Sequence, residues 1–341
     1  MDKPSVTSAD VARLAGVSQS TVSRSFDSSS RISDGTRQKV FAAADELGYQ
    51  VNKAAQTMIK KRSDLVGLVT AGLADPFRSE FLNSLVLEIQ NNGLRPMVID
   101  VSDTHTIDVQ LQSLIQYQLS GVIITSGTPS EAVAKTFIKR GTPVVLVNRA
   151  DHSSEADIVN LDNEKAGALA AEALMKAGKR KLMVVRSKVA SYSSVKRTKG
   201  FLDKLSPFVK QGSISLEEAF CETGNYHGGA QFGADLLASK HYPDGVFFCM
   251  DCIACGFLDA LKQSNTLAVP TDIAVIGCDD ISIARYQSYD LTTVRQSPQK
   301  MAAAAVSALQ KRLKQPNTKP IQQKVSVELV FRGTLTESNT L

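Results

Sequence analysis

The first 50 residues carry apolar positions at the spacing of α-helices. These positions are Val11, Leu14, Ala15, Val17, Val22 and Phe26. Gly16 interrupts the series, so the pattern predicts two short helices joined by a tight turn. A third helix is predicted from Ser33 to Gly48, and Ser8, Ser18 and Ser33 are the expected N-caps. Three helices without strands predict an all-α head.

From Asp64 onward, short apolar runs alternate with amphipathic stretches. The seven runs are LVGLVT at 65, RPMVID at 95, GVIIT at 121, PVVLV at 143, KLMVVR at 181, GVFFC at 245 and IAVIG at 273. Such near-continuous runs are typical of strands buried on both faces of a parallel sheet. We therefore expect an α/β body of two doubly wound parallel-sheet lobes. A ligand would bind in the cleft between them, beyond the carboxyl ends of the strands.

Positive charge is concentrated near the N-terminus. Residues 1–62 contain ten Lys and Arg against six Asp and Glu, whereas the whole chain has a net charge of +5. This excess suggests a polyanionic partner for the head, although a solvated basic surface is the alternative. No apolar run approaches the roughly 18 residues of a membrane helix, and residues 1–15 lack the pattern of a secretory signal. We expect a cytoplasmic protein without membrane contact.

The segment TSADVARLAGVSQSTVSRSF, from Thr7 to Phe26, resembles the helix-turn-helix of the lactose-repressor (LacI/GalR) family. The matching residues are Asp10-Val11-Ala12, Ala15-Gly16-Val17-Ser18, Thr21-Val22-Ser23-Arg24, Arg31-Ile32-Ser33 and Leu47-Gly48-Tyr49. The resemblance implies a DNA-binding domain over residues 1–50 and a hinge helix over 51–62. Ala55 and Met58 of the hinge would reach the minor groove. Met58 stands where the family usually has leucine, and Val51 where it usually has proline.

The second helix of the head suits the major groove of DNA. Gln19, Ser20 and Arg24 present an amide, a hydroxyl and a guanidinium to base edges. The residues assigned to phosphates are Thr7, Ser18, Thr21, Ser23 and Asn52. The alternative is a three-helix protein-interaction module in which the same polar side chains are only a solvated face, and this alternative stays open.

Residues 64–333 resemble the periplasmic-binding-protein-like (type I) effector domain of the same family. The matching motifs are DLVGLV at 64, ADPFRSEF at 74, LSGVIITSG at 119, PVVLVNR at 143, NLDNEKAG at 160, KRTKGF at 196, PTDIAVIGCDD at 270 and LTTVRQ at 291. The resemblance implies an effector-binding and dimerisation domain over 63–341 with three crossovers between its lobes. The implied N-lobe covers about 63–160 and 291–320, and the implied C-lobe about 161–290 and 321–335.

The same resemblance assigns residues to effector binding. These are Phe77, Arg78, Ser126, Arg149, Ser193, Arg197, Asp251 and Asp279. Asp162 also falls near the cleft, but Asp162 and Asp251 begin helices, where N-capping is an equal alternative. Gly224 replaces an aromatic ring that relatives stack on the effector, and Met250 replaces their asparagine.

The three arginines among those residues could bring their guanidiniums to one cleft. Such a site suits carboxylate or phosphate groups. The sequence therefore predicts a small-molecule effector that is a sugar, a sugar acid or a phosphorylated sugar, with an anionic one favoured.

Signals for metal or catalytic chemistry are weak. Cys249, Cys252 and Cys255 form a C-x2-C-x2-C run, but it lacks a nearby fourth cysteine for an iron-sulfur cluster. The four histidines show no metal-ligand spacing, and H-E-x-x-H, G-x-S-x-G and Walker A motifs are absent from the sequence. We expect neither an enzyme nor a cofactor.

The expected protein is a transcriptional regulator. The resemblance to the LacI/GalR family implies that it is a repressor. Because the C-terminal segment has no leucine heptads, a homodimer on a pseudo-palindromic operator of double-stranded DNA is the default. The alternative is a solute-binding sensor whose helical head binds another protein. The sequence leaves open whether the effector releases DNA or promotes its binding.

Overall fold

The computed structural model describes residues 6–26, 30–50, 63–102, 114–125, 131–149 and 155–335. The chain forms two compact units, Met1–Ser63 and Asp64–Leu341. The first unit is the head and the second is the body.

Three helices form the described part of the head. They are α1 (Ser8–Ala15), α2 (Gln19–Ser25) and α3 (Asp34–Leu47). Val11, Val22 and Val40 are almost completely buried among them and form the centre of a small core. Gly16 and Gly48 end α1 and α3 with φ angles of 66° and 64°, a left-handed conformation that costs glycine little.

Two of the three predicted caps are confirmed, since Ser18 and Ser33 accept hydrogen bonds from the backbone N–H groups of Thr21 and Thr36. The third was wrong, because Ser8 is already the first helical residue of α1 and Thr7 is its N-cap. Thr7 forms a capping box with Asp10, whose carboxylate accepts from the Thr7 backbone N–H at 3.0 Å.

The body continues the numbering of the elements in chain order. They are β1 (Leu65–Thr70), α4 (Pro76–Asn91), β2 (Arg95–Asp100), β3 (Gly121–Ile124), α5 (Glu131–Ile138), β4 (Val144–Val147), β5 (Asp157–Leu161), α6 (Asn163–Lys176), β6 (Lys181–Ser187), α7 (Tyr192–Lys210), β7 (Ser215–Cys221), α8 (Tyr226–Ser239), β8 (Gly245–Phe248), α9 (Asp251–Ser264), β9 (Ala274–Asp279), a 3-10 turn (Ser282–Arg285), β10 (Thr292–Arg295), α10 (Pro298–Lys314), β11 (Gln322–Val325) and β12 (Glu328–Val330).

These strands form two six-stranded sheets, one in each lobe. The N-lobe sheet has the order β11-β5-β4-β3-β1-β2 and the C-lobe sheet has the order β12-β10-β9-β8-β6-β7. Every pair is parallel except β10 with β12. The strand order reverses beside β1 and beside β6, and such switch points open a crevice at the carboxyl ends of the strands.

All seven predicted strands are present, and the two-lobed α/β architecture is confirmed. The remaining strands, β5, β7, β10, β11 and β12, were not predicted. β7 and β12 are edge strands, and β11 has the sequence QQKV with three exposed residues. Exposed edge strands lack the long apolar run that marks a buried strand.

The structure moves two of the predicted lobe boundaries. β10 (292–295) pairs with β9, so it belongs to the C-lobe and that crossover falls at about 296 rather than 291. β11 (322–325) pairs with β5, so it belongs to the N-lobe and the last crossover falls after 325 rather than at 320. Both segments are short, and only their pairing partners decide which lobe they join.

Candidate functional site

The exposed face of α2 carries the predicted base-reading side chains. Gln19 Nε2 donates to Ser8 Oγ at 2.7 Å, Ser20 Oγ lies 2.8 Å from Ser18 Oγ, and Arg24 Nε donates to the Ser20 carbonyl at 3.3 Å. Gln19, Ser20 and Arg24 are all exposed. The face is therefore polar, and hydrogen bonds within the head orient its side chains. Because these side chains are exposed, a binding partner can replace those hydrogen bonds.

The residues predicted to contact phosphates surround this face. Thr7 and Ser18 cap α1 and α2, Thr21 Oγ1 lies 2.8 Å from Ser18 Oγ, and Ser23 is exposed. Capping places hydroxyls at helix N-termini, where backbone N–H groups and the helix dipole favour an anion. Asn52, Ala55 and Met58 lie outside the described residues.

The body contains a cavity of about 820 Å³ between its two lobes. Residues that follow the carboxyl ends of β4, β6, β8 and β9 contribute to its wall. Six of the predicted effector residues line it, namely Phe77, Arg78, Arg149, Ser193, Arg197 and Asp279. Ser126 lies outside the described residues.

The centre of the cleft wall is an ion pair between Arg197 of α7 and Asp279 at the end of β9. Arg197 Nη1 lies 3.1 Å from Asp279 Oδ1, and neither side chain is more than 6% exposed. The same nitrogen donates to the Cys249 carbonyl at 2.5 Å, and Arg197 Nε donates to Asn163 Oδ1 at 3.0 Å. Burial raises the pKa of Asp279, with further upward contributions from Asp251 and Asp75, whereas Arg197 lowers it.

Arg197 reaches this position because α6 and α7 pack with their backbones in close approach. A Cβ added to Gly167 would lie 1.9 Å from the Arg197 carbonyl oxygen, and one added to Gly200 would lie 1.9 Å from the Glu164 carbonyl oxygen. Glycine is therefore required at both positions.

The other two cleft arginines have different surroundings. Arg78 Nη1 donates to the Ala71 carbonyl at 3.0 Å, and its Nε lies 3.8 Å from the carboxylate of Asp75. Arg149 Nη1 donates to the Thr125 carbonyl at 3.4 Å, and burial lowers its pKa. The three guanidiniums line one cavity, and those of Arg78 and Arg197 each have a carboxylate neighbour.

Asp251 differs from the prediction, because it does not line the cavity. Its carboxylate is completely buried and accepts hydrogen bonds from Thr293 Oγ1 at 2.6 Å and from the Ile281 backbone N–H at 3.0 Å. Burial raises its pKa to about 6. Asp251 therefore ties α9 to the segments after β9 and within β10, and Asp162 caps α6 by accepting from the Lys165 backbone N–H.

Several cavity residues were missed by the sequence analysis. Asn148 and Tyr192 each precede a predicted residue, while Asp75, Lys196 and three further residues also line the wall. Those three are Ser187, Ser191 and Ser194, whereas Gly224 and Met250, which the sequence comparison with the family singled out, line the wall as well. The signal that could have identified Asn148 and Ser187 is their position directly after, or at the end of, a buried strand.

Comparison with known proteins agrees with this geometry. Residues 7–52 match bacterial regulatory proteins of the lacI family, and residues 171–335 match the periplasmic binding protein-like domain. The transcriptional regulator GalS of Salmonella typhimurium is 32% identical over 307 residues, which cover 88% of each chain. The chain belongs to the lacI family.

Further relatives of this lacI-family protein match most of its length. The ribose operon repressor of Haemophilus influenzae is 29% identical over 314 residues, covering 91% of this chain and 93% of that protein. A crystal structure of the Lac repressor dimer, bound to operator and the anti-inducer ONPF, superimposes with a TM-score of 0.84 at 26% identity over 97% of this chain and 99% of the other. The lacI-family protein is therefore a DNA-binding transcriptional regulator controlled by a small-molecule effector. In the described part of the chain, no helix is long and apolar enough to span a membrane.

Proposed function

We propose that this regulator is a cytoplasmic homodimeric repressor that binds a pseudo-palindromic operator through α2 and releases or retains it according to a sugar-like effector in the cleft. The observation that carries the proposal is the buried Arg197–Asp279 pair in the wall of a cavity between two lobes. A cavity of this volume falls within the range of small-ligand sites.

The DNA arm of the proposal assigns base contacts to Gln19, Ser20 and Arg24. Each is exposed on one short helix whose N-terminus can enter the major groove. Residues 51–62 would act as the hinge, with Ala55 and Met58 in the minor groove and Asn52 on a phosphate. Two heads in a dimer then require two half-sites related by a twofold axis.

The experiment for this arm is recovery of bound fragments from sheared genomic DNA by the full-length protein at about physiological salt. The expected result is enrichment of one palindromic motif. Its affinity should fall with salt by about 0.9 log units per neutralised phosphate for each log of salt. Failure to enrich any motif, with and without a metabolite extract, would favour a solute-binding sensor whose head binds another protein.

The effector arm assigns ligand contact to Arg197, Asp279, Ser193, Phe77 and Arg149. A guanidinium next to a carboxylate offers both donors and acceptors, which suits a polyhydroxylated molecule. Because Arg78 and Arg197 each have a carboxylate neighbour, we infer that the effector is neutral or carries one anionic group, and Arg149, which also lines the cavity, is the position at which a charged effector is tested. Similarity to ribose operon repressors makes D-ribose the first probe.

The effector arm is tested by melting temperature in the presence of D-ribose, a panel of neutral sugars, and their acids and phosphates. A ligand that binds only the folded state raises the melting temperature. A neutral or singly charged sugar should do so, and Arg149→Gln should weaken only the charged one. Arg140→Gln, at an exposed site outside the cleft, is the control. A larger shift with polyanionic sugars than with their neutral parents would contradict this arm.

The dimer arm draws on exposed apolar side chains in both lobes. Leu87 and Val98 of the N-lobe are 51% and 42% exposed, and Tyr226 and Tyr286 of the C-lobe are 37% and 58% exposed. Such residues favour a partner surface when they cluster. Sedimentation of the purified protein should give the mass of two chains, and a monomer at micromolar concentration would contradict this arm.

A further inference from the structure

A chain of five buried polar side chains runs through the body beside the cleft. Its members are Asn148, Asn163, Arg197, Asp279 and Gln296, each at most 5% exposed. Asn163 Nδ2 donates to Asn148 Oδ1 at 3.4 Å, and Arg197 Nε donates to Asn163 Oδ1 at 3.0 Å. Asp279 Oδ1 then accepts from both Arg197 Nη1 and Gln296 Nε2. This series of hydrogen-bonded side chains therefore begins in the N-lobe, crosses the cleft wall and ends beyond the C-lobe sheet.

Two members of this chain lie on crossovers between the lobes. Asn163 is the first residue of α6 in the C-lobe and follows β5 of the N-lobe by two positions. Gln296 lies between β10 of the C-lobe and α10 of the N-lobe. Neither lines the cavity, whereas Arg197 and Asp279 do. A movement of Arg197 or Asp279 toward a ligand would therefore act directly on the segments that set the angle between the lobes.

Gln296 also has an acceptor without a partner. Its Oε1 is buried and has no hydrogen-bond partner among the residues that the structure describes. A buried acceptor without a hydrogen-bond partner destabilises the fold. An arrangement of the lobes that supplies a donor to this oxygen removes that destabilisation. Gln296 Oε1 can therefore accept a hydrogen bond that a different arrangement of this crossover supplies.

We propose that Asn163 and Gln296 are positioning residues that transmit effector binding at Arg197 and Asp279 to the angle between the lobes. This inference rests on the proposed function, because it takes the cleft as the effector site. It predicts that both residues influence the lobe angle without touching the effector. A residue that merely fills space in the core would affect stability alone.

The experiment measures the distance between the lobes by pulsed electron spin resonance. Spin labels are placed through an unnatural amino acid at Ser307 of α10 and Lys210 of α7, both exposed, because five native cysteines complicate thiol labelling. Labelled protein is diluted with unlabelled protein so that distances within one protomer dominate. The full-length chain is compared with Gln296→Met, Asn163→Ser and a matched control, Gln310→Met. Gln310 lies on α10 and donates to Asn92, away from the cleft.

The expected result is a shifted or broadened distance distribution in Gln296→Met and Asn163→Ser. Gln310→Met should retain the wild-type distribution. Wild-type distance distributions in both variants would overturn the proposal, whether or not the variants melt at a lower temperature. Loss of folding in both variants would also overturn it, because it would indicate a purely structural role. If only one of the two variants folds, the distance distribution of that variant decides between the outcomes.

The measurement needs neither operator nor effector, so its failure is distinct from failure to enrich a DNA motif. If D-ribose changes operator affinity of the wild type, the same variants should reduce that change while retaining measurable ribose binding.

Discussion

The α2 face and the cleft use polar side chains in opposite ways. On α2, Gln19 and Arg24 are exposed and bonded to residues 11 and 4 positions away. In the cleft, Arg197 is buried and bonded to residues 34, 52 and 82 positions away. The first set is arranged by one small helical unit, and the second only by the complete body.

This difference determines how substitutions at the two sites change the free energy of unfolding. An exposed side chain exchanges water for a partner with little change in the fold, so the α2 face can be altered without unfolding the head. A buried ion pair is costly to disrupt, since removal of one charge leaves the other without compensation. Substitutions at the two sites should therefore separate binding effects from stability effects.

The largest effect is expected from Arg197→Met. The variant leaves the Asp279 carboxylate buried without its cation, and the body should lose about 3–5 kcal/mol of unfolding free energy. Urea denaturation measures the loss. The double variant Arg197→Met/Asp279→Leu should recover only part of it, because no uncompensated charge remains but Asn163, Cys249 and Gln296 lose their hydrogen-bond partners. A single variant as stable as the wild type would show that the pair contributes little.

Gly200→Ala should come next. The new Cβ would meet the Glu164 carbonyl at 1.9 Å, so α6 and α7 must separate at a cost of about 1–3 kcal/mol. Arg197 would be displaced with α7, so the melting shift given by an effector should shrink as well. Gly35→Ala is the control, since nothing lies within 4 Å of its added Cβ and a helical alanine should stabilise the head. Equal effects from both changes would contradict the close helix approach.

Arg24→Ala should act on DNA rather than on stability. Loss of a guanidinium that contacts a base should weaken operator binding by about 1–3 kcal/mol and relax specificity at one position. Electrophoretic mobility shifts with the enriched motif and its point variants measure both effects. Arg180→Ala, an exposed arginine of the body, should leave the sequence preference unchanged.

The smallest effect is expected from Ser18→Ala. Its hydroxyl caps α2 through the Thr21 backbone N–H, and its loss should cost the head about 1 kcal/mol. Amide hydrogen exchange of α2 in the full-length protein should become faster. Ser23→Ala, at an exposed position inside α2, should leave amide exchange unchanged or slow it. Faster exchange in Ser23→Ala than in Ser18→Ala would argue against the cap.

Much of the cleft was predictable because parallel strands place their carboxyl ends together. Arg149 and Asp279 follow buried apolar runs, and their positions in the cavity required only the sheet order. Asp251 also follows such a run, yet Thr293 and Ile281 enclose its carboxylate. The sequence contains no local signal for partners 42 and 30 residues away.

The sequence alone determined the helices of the head, the polar face of α2 and seven of the strands, because caps, periodicity and apolar runs are local properties. Only the tertiary structure decided which lobe β10 and β11 join, that Asp279 accompanies Arg197, and that Asn163 and Gln296 meet the cleft pair. Short strands and buried polar contacts depend on neighbours distant in sequence, and folding brings these together.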